Sequence, residues 1–143
     1  MKIAIGSDHA GFELKDKIIN TLTTNNIKFI DVGTHSSESV DYPDYSSKVT
    51  DLVTEKICDL GILICGTGIG MSISANKKEG IRAALVNDVF SAKATKNHNN
   101  SNVLCLGARV IGEDLAMLII DTWLNSEFEG GRHQARIDKL ESC

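Results

Sequence analysis

Residues 60–65, Leu-Gly-Ile-Leu-Ile-Cys, hold no charged or strongly polar side chain, so a strand there shows apolar surface to both faces of its sheet. Such a strand must be covered on both sides, and helices that link parallel strands are the usual cover. Residues 103–107 have the same character, and 81–86 repeat it apart from Arg82. Between and around these runs the periodicity changes. Leu14, Ile18 and Leu22 recur every four residues within 11–25, which makes one face of a helix. Pro43 opens a second helix, where its missing N–H is no loss, with Tyr45, Val49, Leu52 and Val53 as the expected buried stripe. Further helices are expected at about 70–76, 88–97 and 113–125, and a last one at 132–141 after the Gly130-Gly131 break. With strands at 2–6 and 27–32 the pattern predicts a three-layer α/β/α fold. Its five-stranded parallel sheet is Rossmann-like, joined by right-handed crossovers, in one domain spanning 1–143.

The chemistry of partners is bounded by charge and length. Fifteen Lys and Arg against 19 Asp and Glu leave a net charge of −4, which disfavours nucleic acid and anionic membranes as partners. No apolar run approaches the ~18 residues of a membrane span. Met1-Lys2-Ile3-Ala4-Ile5 leads at once into Ser7-Asp8-His9, unlike a signal peptide, so a cytoplasmic protein is expected. Cys58, Cys65, Cys105 and Cys143 form no CxxC pair, and histidines 9, 35, 98 and 133 are scattered, so neither a zinc site nor a disulfide framework is expected. Cys58, Cys105 and Cys143 read as small packed hydrophobes.

Cys65 has a different context. In such folds ligands sit at the carboxyl ends of strands, where strand order reverses, which directs attention to the loops after the first and third strands. The third runs into Cys65-Gly66-Thr67-Gly68-Ile69-Gly70 before a helix. Alternating glycines there free backbone N–H groups to form an anion-binding nest. A dinucleotide fingerprint from Gly66 fails at Met71, and no Gly-Lys-Ser/Thr of a P-loop is present. A thiol at the strand end, facing a helix N-terminus, is expected to ionise more readily than usual. Ser7, Asp8 and His9 face the same crevice, Asp8 either as a helix cap or as a ligand group. Residues 33–41 form the longest loop, a candidate flap.

Gly6-Ser7-Asp8-His9-Ala10-Gly11 together with Cys65-Gly66-Thr67-Gly68-Ile69-Gly70 resembles the ribose-5-phosphate isomerase B family. So do Asp41-Tyr42-Pro43, Asn76-Lys77, Gly80-Ile81-Arg82-Ala83, His98-Asn99, Gly107-Ala108-Arg109-Val110 and Gly130-Gly131-Arg132-His133-Gln134-Ala135-Arg136, in the same order over essentially the whole chain. The resemblance implies interconversion of ribose 5-phosphate and ribulose 5-phosphate in the pentose phosphate pathway, without metal or organic cofactor. It implies Cys65 as the base that moves a proton between C1 and C2. Amides of Gly66, Gly68, Ile69 and Gly70 would steady the enediolate, and His98, helped by Asp8 and Thr67, would open the furanose. Asn99 and Tyr42 would contact the sugar, and His9, Arg109, Arg132 and Arg136 the phosphate. Independently of the resemblance, Arg132 and Arg136 stand at i and i+4 on one helical face, as a cationic fork for phosphate would. Arg82 is expected to be structural, and His35 and His133 ordinary polar residues.

Some relatives lack the cysteine and carry a glutamate where Met71 stands, while galactose-6-phosphate isomerases divide the motifs between two different subunits. Cys65, His98 and the Arg132–Arg136 segment share this chain, so a homodimer or higher homo-oligomer is expected. The alternatives are isomerisation of a six-carbon aldose 6-phosphate, allose or galactose 6-phosphate, and a non-catalytic sugar-phosphate sensor. Topology adds one expectation. Cys65 and Asp8 follow strands, whereas His98 ends a crossover helix and so falls at the opposite sheet edge, which requires a site shared between two subunits.

Overall fold

The computed structural model describes residues 1–143 and places every expected element. In chain order these are β1 (Lys2–Ser7), α1 (Phe12–Thr24), β2 (Lys28–Asp31), α2 (Tyr42–Thr54), β3 (Leu60–Cys65), α3 (Ile69–Ala75), β4 (Ala83–Leu85), α4 (Val89–Asn99), β5 (Val103–Gly107), α5 (Glu113–Leu124) and α6 (Arg132–Glu141). All strand pairs are parallel, in the order β2-β1-β3-β5-β4. The chain steps outward from β1 to β2 and then returns across it to β3. The crevice between the loops after β1 and β3 is therefore the switch point at which such sheets bind ligands.

Alternation along the strands divides the core. Ile62, Ile64, Leu104 and Leu106 face α1, α4 and α5, packing with Ile18, Ala92, Ile119 and Trp123. Leu63, Cys65, Val103 and Cys105 face α2 and α3, packing with Val49, Val53, Met71 and Ala75. Both faces are covered, which is why β3 and β5 are buried along their whole length. Beneath α1, the buried Lys15 ammonium meets both carboxylate oxygens of Asp31 at 2.8 and 2.7 Å, so its charge is paired.

Three details depart from the sequence reading. The strand expected over 81–86 contracts to three half-buried residues, because β4 is an edge strand that pairs only with β5. The buried stripe of α2 is Ser46, Val49, Thr50 and Val53, with Tyr45 and Leu52 at its flanks. Small residues are needed there because α2 lies close against β1 and β3: a Cβ at Gly61 would sit 2.7 Å from Val49 Cγ1. Cys143, expected to pack, is exposed at the end of the chain, whereas Cys58 and Cys105 are buried as expected.

Candidate active site

The loop after β3 turns sharply onto α3. Gly68 has φ +77°, and a Cβ there would lie 2.5 Å from Leu85 Cδ1 and 3.0 Å from the Leu106 carbonyl carbon. Glycine is therefore required both by the backbone conformation and by the space. This turn brings the Gly68 amide to Cys65 Sγ, donating at 3.1 Å to a thiol that is only 5% exposed. The Ile69 amide donates to Thr67 Oγ1 at 3.3 Å. Two amides of the expected nest thus address the chain's own sulfur and hydroxyl. Gly70 has another role: a Cβ there would come within 2.8 Å of the Tyr42 ring, so the glycine lets Tyr42, at the start of α2, lie over the loop. The Arg109 guanidinium lies against Gly66, and its backbone N–H bonds the Gly66 carbonyl at 2.9 Å.

The loop after β1 is stitched to the same place. The Asp8 amide donates to the Ile64 carbonyl at 3.1 Å. Asp8 is buried, and its Oδ1 accepts from the amides of Ala10 and Gly11 at 2.9 and 3.1 Å, so one of its oxygens shapes the turn into α1. His9 Nδ1 accepts from the Val40 amide at 3.2 Å, which fixes the tautomer and leaves Nε2–H as a donor. The 33–41 loop is anchored at its other end by Ser7 N–H to the Gly33 carbonyl at 2.8 Å.

The remaining four expected residues lie elsewhere. His98 and Asn99 end α4, where the Asn99 carbonyl accepts from Arg82 Nε at 3.0 Å just before β4 begins. That is the amino edge of the sheet. Arg132 and Arg136 are exposed on α6, beside His98 through the intervening His133. Ten of the fourteen expected residues therefore gather at the carboxyl edge, and His98, Asn99, Arg132 and Arg136 at the other. A strand length of ~17 Å separates the two groups in one chain. Arg82 is structural, holding the Asn99 and Asn100 carbonyls and Glu141 Oε1. His35 is exposed, 3.6 Å from Asp31.

The histidines, scattered in sequence, are not all apart in space. His133 is buried and stacks on His98, with ring centroids 4.4 Å apart and planes 13° from parallel. Glu129 stands 3.5 Å from His133 Nε2. Sequence reasoning missed this pair; the only signal was a histidine on the helix that carries both arginines. A concavity of about 610 Å³ among residues 76–82 and the end of α6 shares no residue with either group. Chemistry rather than volume locates the site, since the Cys65 thiol, the His9 imidazole and the Arg109 guanidinium lie around the loops after β1 and β3.

A Rossmann-like sheet with a thiol and an amide-lined turn at its switch point defines a small-molecule enzyme of the α/β class. The model of the Ribose/Galactose Isomerase family matches residues 3–140, and the chain belongs to that family. It is 50% identical over 139 residues to ribose-5-phosphate isomerase B of Escherichia coli (strain K12), covering 97% of this chain and 93% of that one. Among solved structures it resembles ribose-5-phosphate isomerase B of Clostridium thermocellum, with TM-score 0.98, 52% identity, and coverage of 99% of this chain and 96% of that one. It also resembles the Mycoplasma genitalium protein solved with bound ribulose-5-phosphate, with TM-score 0.95, 43% identity, and coverage of 99% and 94%.

Proposed function

We propose that this chain is an aldose–ketose isomerase that interconverts D-ribose 5-phosphate and D-ribulose 5-phosphate in the pentose phosphate pathway. The observation that carries the reading is the Cys65 thiol, held by the Gly68 amide at the switch point. Isomerisation needs one base beside a substrate carbon and donors for the oxygen that gains charge. Cys65 takes the proton from C2 of the open aldose and returns it to C1, while the O2 hydroxyl proton passes to O1. The aldehyde carbon is reduced as its neighbour is oxidised, so the step balances without an outside electron carrier. Amides of the 66–70 loop meet the enediolate oxygen, with substrate replacing the Thr67 hydroxyl at Ile69.

His98 protonates the ring oxygen to open the furanose, with Asp8 and Thr67 beside it, and Asn99 and Tyr42 hold the sugar. His9, through its free Nε2–H, joins Arg109, Arg132 and Arg136 on the phosphate. Because the two groups of residues sit at opposite sheet edges, one site draws Cys65 from one chain and His98 from a second. A homodimer with two equivalent sites satisfies this. Exposed apolar side chains on elements near Cys65 support such an assembly: Ile69, Ile73, Phe90 and Val110 are 52%, 58%, 81% and 54% exposed. Each chain is one isomerase domain spanning 1–143. Its place is the cytoplasm, in keeping with the absence of any helix long and apolar enough to cross a membrane.

Incubation with ribose 5-phosphate should yield ribulose 5-phosphate, seen by NMR, with a higher kcat/KM than for allose or galactose 6-phosphate. A higher kcat/KM for a six-carbon sugar would reassign the substrate. Binding without turnover would make the protein a sensor.

A further inference from the structure

Resting on the isomerase reading above, the geometry points to His133 as a positioning residue: its ring, stacked on that of His98, fixes the direction in which His98 meets the sugar. His98 occupies the exposed last turn of α4, where an isolated imidazole would sample several rotamers. A proton donor to a ring oxygen must hold one direction, and small misplacements cost rate. His133 supplies a wall. It is 7% exposed in the first turn of α6, and its ring lies nearly parallel to that of His98, 4.4 Å away.

The wall is itself braced. The Glu129 amide donates to the Asn97 carbonyl at 3.0 Å, and Asn97 Nδ2 donates to Glu129 Oε1 at 3.1 Å. The second carboxylate oxygen of Glu129 faces His133 Nε2 at 3.5 Å. Glu129 thus ties the end of α4 to the start of α6, and the two imidazoles share one frame. The charged groups around His133 are Glu129, Arg132 and Arg136. Burial, then the neighbouring His98 and Arg132, hold the His133 imidazole below its ordinary pKa of 6.5, with Arg136 acting in the same sense and Glu129 opposing. It is therefore neutral near pH 7, a flat face that adds no second positive charge beside the proton His98 must carry.

A metal ion is the competing use of this cluster, since ligand atoms of His98, Glu129 and His133 lie within 4.8 Å of one another. Parallel rings send their nitrogen lone pairs side by side, whereas a tetrahedral ion needs them to converge at ~2.0–2.1 Å. The stack fits positioning better. Nor is His133 a phosphate contact, because its side chain is covered by its own chain.

The test compares His133→Ala with His133→Phe, which keeps a flat ring but no nitrogen. His133→Ala should lower kcat on ribose 5-phosphate about tenfold, part of the ~10²–10⁴ that a proton-transfer group contributes. KM should stay within about twofold, and early rates from ribulose 5-phosphate, an open-chain ketose, should fall much less. His133→Phe should restore most of the loss, and in a His98→Asn background His133→Ala should cost almost nothing more. Equal losses in Ala and Phe, a change confined to KM, or additive losses with His98→Asn would overturn the proposal. A second readout needs no substrate and no turnover. In the wild type and His133→Phe the His98 Cε1–H resonance should be shifted upfield by the stacked ring, and in His133→Ala it should return toward that of an exposed histidine. An unchanged resonance in His133→Ala would also overturn the proposal. Failure of the isomerase reading would look different, as no turnover by the wild type with the ring-current shift intact.

Discussion

Cys65 differs from its neighbours in what holds it. Cys105, two residues along the neighbouring strand and on the same face, is wholly buried, and desolvation, with Cys65 adding to it, drives its thiol far above the ordinary range. Burial likewise raises Cys58. Cys65 alone among the three meets a backbone donor, at 3.1 Å, at the mouth of a crevice. Iodoacetamide at neutral pH should therefore react at Cys65 and at the exposed Cys143, but not at Cys58 or Cys105. In a Cys143→Ser background, inactivation should follow Cys65 modification one for one, and substrate should protect. Cys65→Ser should lower kcat by ~10²–10⁴-fold with KM little changed. Near-wild-type turnover by Cys65→Ser would remove the thiol from the reaction. At this scale the sequence was informative where a residue's role is set by its immediate neighbours, as at Cys65 and Gly68. It misread His133 as an ordinary polar residue, because the partner it stacks on is 35 positions away and meets it only after α6 folds back onto α4.

Elements were legible for a related reason. Strands covered on both faces read as continuous apolar runs, and α1 shows its four-residue spacing, so both periods survive without tertiary information. What failed depended on neighbours that sequence does not display. β4 shrank because it has a partner on one side only, and the buried face of α2 rotated because Gly6 and Gly61 admit the helix so closely. The turn from β3 into α3 makes the sharpest demand on one residue. Gly68→Ala places a Cβ at φ +77° and against the Leu106 backbone. It should cost about 1–3 kcal/mol, a fall of several degrees in Tm, and should lower activity by moving the amide that faces Cys65. Gly112, in extended backbone with nothing within 4 Å of its Cβ position, is the control: Gly112→Ala should cost less than about 1 kcal/mol and leave turnover unchanged. Equal effects of the two substitutions would contradict the packing described for the turn.

For the whole molecule, parallel topology decides where chemistry can occur. Residues that follow strands share one edge, and residues that end crossover helices share the other, so a thiol after β3 and an imidazole at the end of α4 cannot meet within a chain. The proposed division of roles between Cys65 and His98 therefore stands or falls on sharing. In the proposed homodimer, Cys65→Ala and His98→Ala should each disable both sites, whereas a mixed dimer should carry one intact site and one doubly altered site. When equal amounts of the two inactive proteins are unfolded and refolded together, half the dimers are mixed, and activity should approach about a quarter of wild type. No recovery, with subunit exchange demonstrated by differently tagged chains, would contradict the shared site and require Cys65 and His98 to act from the same chain.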